Sequence, residues 1–213
     1  MDTDAELAIR LAADLDRAFP TLVADHANRL YTIALRLLGD PRDAEEVAQD
    51  ALVRAYRAIT GYEPDRTREL RLRPWLASIA VNLAHTRRRR HDDRRPPTRL
   101  EPLVDAGFDP ADAAAATGPA ATARREAILE LATALLELPV PMREAITLRH
   151  VDGLSVAETA EALGRPEGTV KAQVARGLER LRASLEGHRE PAPGPLSHAD
   201  TGGRAFAAAE VLA

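Results

Sequence analysis

Arginine side chains are concentrated in the middle of this 213-residue sequence, where their chemistry favours contact with phosphate groups. Residues 66–95 contain ten arginines and three acidic residues. Four of those arginines, Arg87 to Arg90, are consecutive, so on a helix at least two guanidinium groups face any nearby phosphate backbone. Tyr62 offers a ring that can stack on a base, and Asn82 offers an amide that can read one.

Further arginines lie in a Gly/Pro-containing stretch from Gly61 to Pro74, which is predicted to be a loop and where they can hold the phosphates of a nucleic-acid strand. These are Arg66, Arg68, Arg71 and Arg73. The net charge of the whole chain is −4, but this average hides a strong asymmetry. Residues 1–50 contain eleven acidic residues and five arginines. Acidic and basic residues thus form separate blocks, which predicts separate surfaces with separate partners.

A cluster of acidic and amide side chains occupies one face of the helix predicted from residue 44 onwards. The opposite, apolar face is formed by Ala44, Val47, Ala48, Ala51, Leu52, Ala55, Tyr56 and Ile59. The polar face includes Glu45, Glu46, Gln49 and Asp50. Paired carboxylates also suit a metal ion or acid–base catalysis, but no His or Cys stands at ligand spacing beside them. A solvated helix face and a docking face for a basic partner remain as interpretations.

Other catalytic constellations are missing from the sequence. There is no cysteine, which excludes a disulfide framework and a thiolate metal site. The six histidines are scattered, and neither a phosphate-binding loop nor a Ser/His/Asp arrangement is present. We therefore expect no enzyme, no cofactor and no metal. The acidic N-terminus is unlike a signal peptide and no run of 18 apolar residues occurs, so we expect a soluble cytoplasmic protein.

The elements that position these residues are all predicted to be helices. Apolar residues recur with helical spacing in four stretches, and only 3% of residues are aromatic, which disfavours sheets. The stripe from Leu30 to Leu38 ends at Gly39, and the stripe that begins at Trp75 continues into the arginine run. Weaker spacing before Leu30 predicts one more short helix. The fold class is therefore all-α, with a first helical bundle over residues 8–95.

Two segments without a helical pattern divide and end the chain. Residues 96–123 contain recurrent prolines, which predict a flexible linker. Residues 124–186 predict a second helical bundle, in which residues 142–151 form one helix. Residues 187–213 are rich in Pro, Gly and Ala and are expected to form a disordered tail.

The second bundle contains the pattern of a helix-turn-helix over residues 155–182. Ser155 and Glu158 form a capping-box pattern, Gly164 ends the first helix, and the following helix has Val170, Val174 and Leu178 on its apolar face. Such a second helix inserts its N-terminal residues into the major groove of DNA. The candidate DNA-binding residues are Arg165, Glu167, Thr169, Lys171, Ala172, Gln173 and Arg176. An ordinary helical hairpin with a solvated polar face is the alternative.

The second bundle resembles region four of sigma-70 family factors of the extracytoplasmic-function type. The matching residues are Leu138-Pro139, Arg143-Glu144, Gly153-Leu154-Ser155, Ala160-Glu161, Leu163-Gly164 and Gly168-Thr169-Val170-Lys171. The resemblance implies that this helix-turn-helix reads the minus-thirty-five promoter element and docks on the β flap of core RNA polymerase. Ala172-Gln173 replaces the Ser-Arg usual in the family, which affects the DNA sequence that is read.

The first bundle resembles region two of the same family. The matching residues are Leu38-Gly39-Asp40, Asp43-Ala44-Glu45-Glu46, Gln49-Asp50, Pro74-Trp75-Leu76, Ile79-Ala80 and Asn82. The resemblance implies that Asp43, Glu45, Glu46, Gln49 and Asp50 bind the β′ clamp helices of the polymerase. It also implies that Tyr62, Arg66, Arg71, Arg73, Asn82, Arg87 and Arg88 capture the minus-ten strand and assist melting.

Taken together, the resemblance implies a sigma factor that directs core RNA polymerase to promoter DNA and that an anti-sigma factor can hold inactive. A helix-turn-helix regulator that acts without polymerase is the alternative. That alternative explains the second bundle but leaves the separate acidic and basic surfaces of the first bundle without a purpose.

Overall fold

The computed structural model describes residues 3–92 and 119–187, and the described residues contain helices and no strands. The first bundle consists of α1 (Thr3–Ala13), α2 (Leu15–Leu38), α3 (Pro41–Thr60), α4 (Pro64–Arg68) and α5 (Leu72–Asp92). The second bundle consists of α6 (Pro119–Glu137), α7 (Val140–Ile146) with a π-helical turn (Thr147–Val151), α8 (Val156–Leu163) and α9 (Glu167–Gly187). The all-α prediction is confirmed.

The connection between α2 and α3 follows directly from its residues. Gly39 adopts a left-handed conformation with φ of 75°, and its N–H donates to the carbonyl of Leu35. This conformation disfavours residues with a Cβ. Asp40 then caps α3, since its carboxylate accepts from the backbone N–H groups of Arg42 and Asp43. Pro41, with no N–H to satisfy, occupies the first helical turn.

Two sequence-based expectations about elements were wrong, and one expected helix is present with a different start. A single short helix was expected before Leu30, whereas α1 ends at Ala13 and α2 runs continuously from Leu15. Asp14 explains this break, because its carboxylate accepts from the N–H of Arg17 and so starts a new helix. The segment expected as a loop between Gly61 and Pro74 contains α4, which begins at Pro64. The helix expected over residues 142–151 begins at Val140 and widens into the π-helical turn.

The core of the first bundle is built almost entirely from leucine, isoleucine, valine and alanine. Its largest fully buried side chains are Leu7, Leu11, Leu22, Leu30, Ile33, Leu35, Leu72 and Leu76. Each lies on the face of its helix that points inward, as the helical spacing predicts. This apolar centre fixes α3 and α5, the two helices that hold the acidic and basic residues of interest.

The two bundles pack against each other. Leu148, Leu154 and Ala162 of the second bundle belong to the same buried apolar cluster as the core of the first. A smaller cluster around Ile146 and Leu181 is confined to the second bundle. The shared cluster places the first helix of the helix-turn-helix beside α5.

The predicted linker and tail fall mostly outside the described residues. Helix α6 begins at Pro119, within the segment 96–123 that was assigned to the linker. Residues 93–118, with the alanine run, and residues 188–213, with most of the predicted tail, lie outside the part of the chain that the structure describes.

Candidate nucleic-acid interface

The helix-turn-helix is held by local hydrogen bonds that its sequence encodes. The Ser155 hydroxyl accepts from the N–H of Glu158, and the Glu158 carboxylate accepts from the N–H of Ser155, at 3.2 and 2.8 Å. Gly164 ends α8 with φ of 61°. The predicted capping box and the predicted glycine stop are therefore both present, and they set the angle at which α9 begins.

The start of α9 presents four candidate residues to solvent. Glu167, Thr169, Lys171 and Arg176 are all exposed, and we call them the recognition face. Val170, on the opposite side, is fully buried. The Lys171 ammonium lies 3.8 Å from the Glu167 carboxylate, one helical turn away. An exposed pair of this kind is weak, so both side chains can exchange it for contacts with DNA.

Arg165 and Gln173 are positioned differently from the recognition face. The Arg165 guanidinium donates to the Glu144 carboxylate at 2.5 Å, to the Pro141 carbonyl at 3.2 Å and to the Gln173 side-chain oxygen at 3.1 Å. Arg165, Gln173 and Ala172 are half-buried. Arg165 therefore ties the turn before α9 to α7, and Gln173 completes that contact.

Glu144 is the buried centre of this arrangement. Its side chain is 1% exposed and contacts both Arg165 and His85 of α5. Burial alone raises the pKa of a carboxyl group, but hydrogen bonds from His85 and Arg165 outweigh it and lower the pKa of Glu144 below its ordinary value. Glu144 is consequently ionised at neutral pH and links the recognition helix to the first bundle.

The aromatic and basic residues around α4 lie together. The Arg66 guanidinium stacks over the Tyr62 ring at 3.8 Å from its centroid, and the Tyr62 ring is 6.3 Å from that of Trp75. Arg68 is paired with Asp65 in the same helix. The exposed Arg66 and half-buried Tyr62 thus form a flat, positively charged platform that suits a stacked base.

Arg71 and Arg73 contact the second bundle. The Arg71 guanidinium binds the carboxylates of Glu158 and Glu161 at 3.0 and 2.8 Å. The Arg73 guanidinium donates to the backbone carbonyl of Asp152 at 2.5 Å. Asn82 is exposed on α5. We call Tyr62, Arg66, Arg71, Arg73 and Asn82 the arginine surface.

The polar face of α3 has the exposure that its sequence predicts, apart from Asp43. Glu45, Glu46, Gln49 and Asp50 are exposed, and we call them the acidic surface. Asp43 is buried and accepts from Arg87 at 2.8 Å, while Arg87 also binds Glu46 at 2.5 Å. Burial lowers the pKa of Arg87, but its hydrogen bonds to Asp43 and Glu46 reverse this and raise it.

Arg88 lies where α5 meets the second bundle. It is half-buried and lines a small cleft together with Leu38, His85, Arg143 and Glu144. Arg87 and Arg88, both predicted to contact the minus-ten strand, therefore differ in surroundings from the exposed Asn82. Arg87 instead joins α5 to the helix of the acidic surface.

Sequence reasoning missed the residues that join the bundles. Arg29 of α2 binds the Asp152 carboxylate, with Nη2 at 2.5 Å from Oδ2, and also donates to the carbonyl of Arg73 at 3.0 Å. Arg143 donates to the Leu37 carbonyl of α2 at 2.8 Å. Periodicity reveals contacts within one helix, whereas these partners are 44 to 123 positions apart. Arg143 belongs to the matching family pattern, but local sequence does not reveal its partner or the partners of Arg29.

The described residues contain no group of three or more His, Cys, Asp or Glu side chains arranged to hold a metal ion. Within the same described ranges, no helix is both long and apolar enough to span a membrane.

Comparisons with known proteins match both bundles. A family model described as Sigma-70 region 2 matches residues 22–94, and one described as Sigma-70, region 4 matches residues 128–181. The RNA polymerase sigma-H factor of Pseudomonas aeruginosa is 30% identical over 87% of this chain and 95% of its own length. The ECF RNA polymerase sigma factor SigW of Bacillus subtilis is 31% identical over 79% of this chain and 89% of its own.

A solved structure has a similar fold. The structure of CnrH in complex with the cytosolic domain of CnrY matches with a TM-score of 0.60 and 26% identity, over 87% of this chain and 99% of that one. Since both region models match in the order found here and the relatives are matched over most of their length, the chain belongs to the sigma-70 family of RNA polymerase sigma factors, within the extracytoplasmic-function type.

Proposed function

We propose that this sigma factor directs core RNA polymerase to promoters through two DNA-binding surfaces and has no catalytic activity of its own. One observation supports this most strongly. A single chain combines an exposed recognition face on α9 of the second bundle with a first bundle that presents an arginine surface and an acidic surface on different helices. A regulator that acts alone needs the first of these surfaces and has no use for the other two.

The recognition face is proposed to read the minus-thirty-five element in the major groove. Lys171 and Arg176 can contact phosphates or guanine, Glu167 can accept from the amino group of cytosine, and the Thr169 methyl can contact thymine. The half-buried Ala172 offers a second methyl. Arg165 and Gln173 contribute by fixing the start of α9, because the guanidinium of Arg165 is already bound to Glu144.

The arginine surface is proposed to bind the minus-ten strand after it has separated from its complement. Tyr62 with Arg66 provides the stacking platform, and Asn82 provides hydrogen bonds to a base. Arg71 and Arg73 at the N-terminal end of α5, and Arg87 and Arg88 towards its C-terminal end, provide positive charge for the phosphates. Binding an unstacked base compensates for a few kcal/mol of lost stacking, so melting requires no nucleotide hydrolysis by this chain.

The acidic surface is proposed to dock on the β′ clamp helices of core polymerase, and the second bundle on the β flap. Four exposed side chains, Glu45, Glu46, Gln49 and Asp50, face solvent on one side of α3, where a basic partner can reach them. Asp43 acts indirectly, because it holds Arg87. We further propose a cytoplasmic location and an anti-sigma factor as the inhibitory partner.

Run-off transcription with core polymerase on a library of genomic fragments tests this function. We expect transcripts that share two upstream sequence elements. Lys171→Gln/Arg176→Gln should alter the preference for the element further upstream, whereas Arg180→Gln/Arg182→Gln, which removes two exposed charges further along α9, should preserve it. Tight promoter binding by the chain alone, together with no transcript when core polymerase is added, would establish the alternative of a polymerase-independent regulator.

A further inference from the structure

We propose that α8 and the turn before it form an intramolecular latch that occupies Arg71 and Arg73 and withholds them from the minus-ten strand. This inference rests on the proposed function of those two arginines. The latch consists of Asp152, Glu158 and Glu161 in the second bundle. Its consequence is that DNA and the second bundle compete for the same guanidinium groups.

The first half of the latch is a pair of carboxylates on one guanidinium. Arg71 Nη2 lies 3.0 Å from Glu158 Oε1, and Arg71 Nη1 lies 2.8 Å from Glu161 Oε2. The other oxygen of Glu158 accepts from the backbone N–H of Ser155 at 2.8 Å. This backbone hydrogen bond lowers the pKa of Glu158, so the carboxylate stays ionised and correctly oriented. Arg71 is half-exposed, which leaves its ion pairs open to exchange with phosphates.

The second half of the latch is more deeply buried. The side chain of Asp152 is 2% exposed, and its carboxylate binds Arg29, whose side chain is 14% exposed. The backbone carbonyl of Asp152 accepts from Arg73 at 2.5 Å, and Arg29 donates to the carbonyl of Arg73 at 3.0 Å. One residue of the second bundle therefore holds both Arg29 and Arg73 in place.

Apolar packing on either side of Asp152 holds these polar groups in position. Leu148 and Leu154, which flank Asp152, are fully buried in the cluster shared with the first bundle. Arg143 adds a hydrogen bond to the Leu37 carbonyl. The bundles consequently separate as units, because the buried leucines must be exposed at the same time, and each ion pair of the latch adds to the stability of the closed arrangement.

The latch affects the two DNA-binding surfaces unequally. Lys171 and Arg176 of the recognition face stay exposed while the bundles are in contact, whereas Arg71 and Arg73 are engaged. Arg66 and Asn82 remain exposed as well, so the latch weakens the arginine surface without covering all of it. The closed chain should therefore keep its affinity for duplex DNA and have reduced affinity for a single strand.

Pulsed electron paramagnetic resonance on the full chain tests the latch, and the absence of cysteine allows two labels to be placed cleanly. Ile9→Cys and Ala183→Cys put the labels on exposed positions of the two bundles. The double variant Glu158→Gln/Glu161→Gln, which we call the latch variant, should widen the distribution of distances between the two labels. The latch variant keeps the capping box at Ser155, since glutamine at position 158 can also accept from the backbone N–H of Ser155. The control, Glu179→Gln/Glu186→Gln, removes the same charge from exposed positions on α9 and should leave the distribution narrow.

Affinity for a fluorescent 12-nucleotide single strand of mixed sequence gives the second measurement. Relative to the control, the latch variant should bind roughly three- to tenfold more tightly, as expected when one or two exposed ion pairs no longer compete. Adding Arg71→Gln/Arg73→Gln to the latch variant should remove that gain.

Three results would overturn the latch: separated bundles in the unaltered chain, a latch variant indistinguishable from its control, or a gain in affinity that survives loss of Arg71 and Arg73. Failure of the proposed function is recognised separately. It appears as absent run-off transcription by the unaltered chain with core polymerase, whatever the distances between labels.

Discussion

The two bundles differ in what holds them together. In the first bundle, eight large apolar side chains are fully buried, from Leu7 to Leu76. Of the three comparable side chains described in the second bundle, Leu148 and Leu154 pack into the core of the first, and Ile146 packs within its own bundle. The second bundle has a smaller apolar core of its own and combines it with a buried charge, that of Glu144.

This difference shows that the second bundle depends on the first. Glu144 takes one of its two partners, His85, from α5, and Arg143 donates to a carbonyl of α2. The recognition helix is thus positioned by residues from both bundles while they are in contact. Variants that remove buried charge should therefore affect the second bundle most.

The largest effect is expected from Glu144→Ala. Removal of this carboxylate leaves Arg165 half-buried without its anionic partner, and breaking a buried pair costs about 3–5 kcal/mol. The free energy of unfolding, measured by urea titration, should fall by this amount. Glu130→Ala, at an exposed position of α6, should change it by less than about 0.5 kcal/mol. A loss below about 1 kcal/mol for Glu144→Ala would contradict the role of buried charge.

A comparison of two glycines measures the contact between the bundles. Both Gly39 and Gly164 have positive φ, so alanine costs about 1–2 kcal/mol at either position. A Cβ at Gly164 meets nothing within 4 Å, whereas one at Gly39 lies 2.7 Å from Leu136 Cδ1 of the second bundle. Gly39→Ala should therefore cost about 1 kcal/mol more than Gly164→Ala in thermal or urea unfolding. Equal costs would mean that Leu136 does not press on Gly39 in solution.

The free energy of unfolding should depend on pH through the carboxylate of Glu144. Because the pKa of Glu144 is lowered in the folded chain, its ionised form contributes stability above the ordinary pKa of glutamate, about 4.3. That contribution disappears as the pH falls through the lowered value. Glu144→Gln should cost about 1–3 kcal/mol at pH 7, and the difference from the unaltered chain should shrink below about pH 4. A difference that is constant from pH 7 to pH 3 would rule out this linkage.

The smallest effect is expected from the capping box. Ser155→Ala removes the hydroxyl that accepts from Glu158, at a cost of about 1 kcal/mol. Ser155→Thr keeps a hydroxyl and should retain most of the stability in the same unfolding experiment. If alanine and threonine are equally tolerated, the start of α8 is set by packing instead.

Helical periodicity and turn residues predict much of the fold. The features that they do not predict depend on a single capping residue or on contacts between residues that are distant in the sequence. The stop at Gly39, the capping box at Ser155 and the exposure of Glu45 to Asp50 follow from local sequence, because the interacting groups lie within a few residues. The break at Asp14 depends on a single cap, which apolar spacing does not reveal.

For the candidate site, sequence identifies the residue types but not their partners. Arg71 and Arg165 were chosen for their positive charge, and each is bound to a carboxylate from another element. Asp43 was grouped with an exposed acidic face, but it is buried against Arg87. The packing of α5 against α3 and α8, and of α7 against the turn before α9, brings these charges together.

Promoter selection with core polymerase and variants of each bundle is the most direct test of two separate DNA-binding surfaces. We predict that Lys171→Gln/Arg176→Gln changes the preferred bases of the upstream element alone, and that Arg66→Gln/Asn82→Ala changes those of the downstream element alone. Loss of preference at both elements in either variant, with folding and polymerase binding intact, would contradict the account.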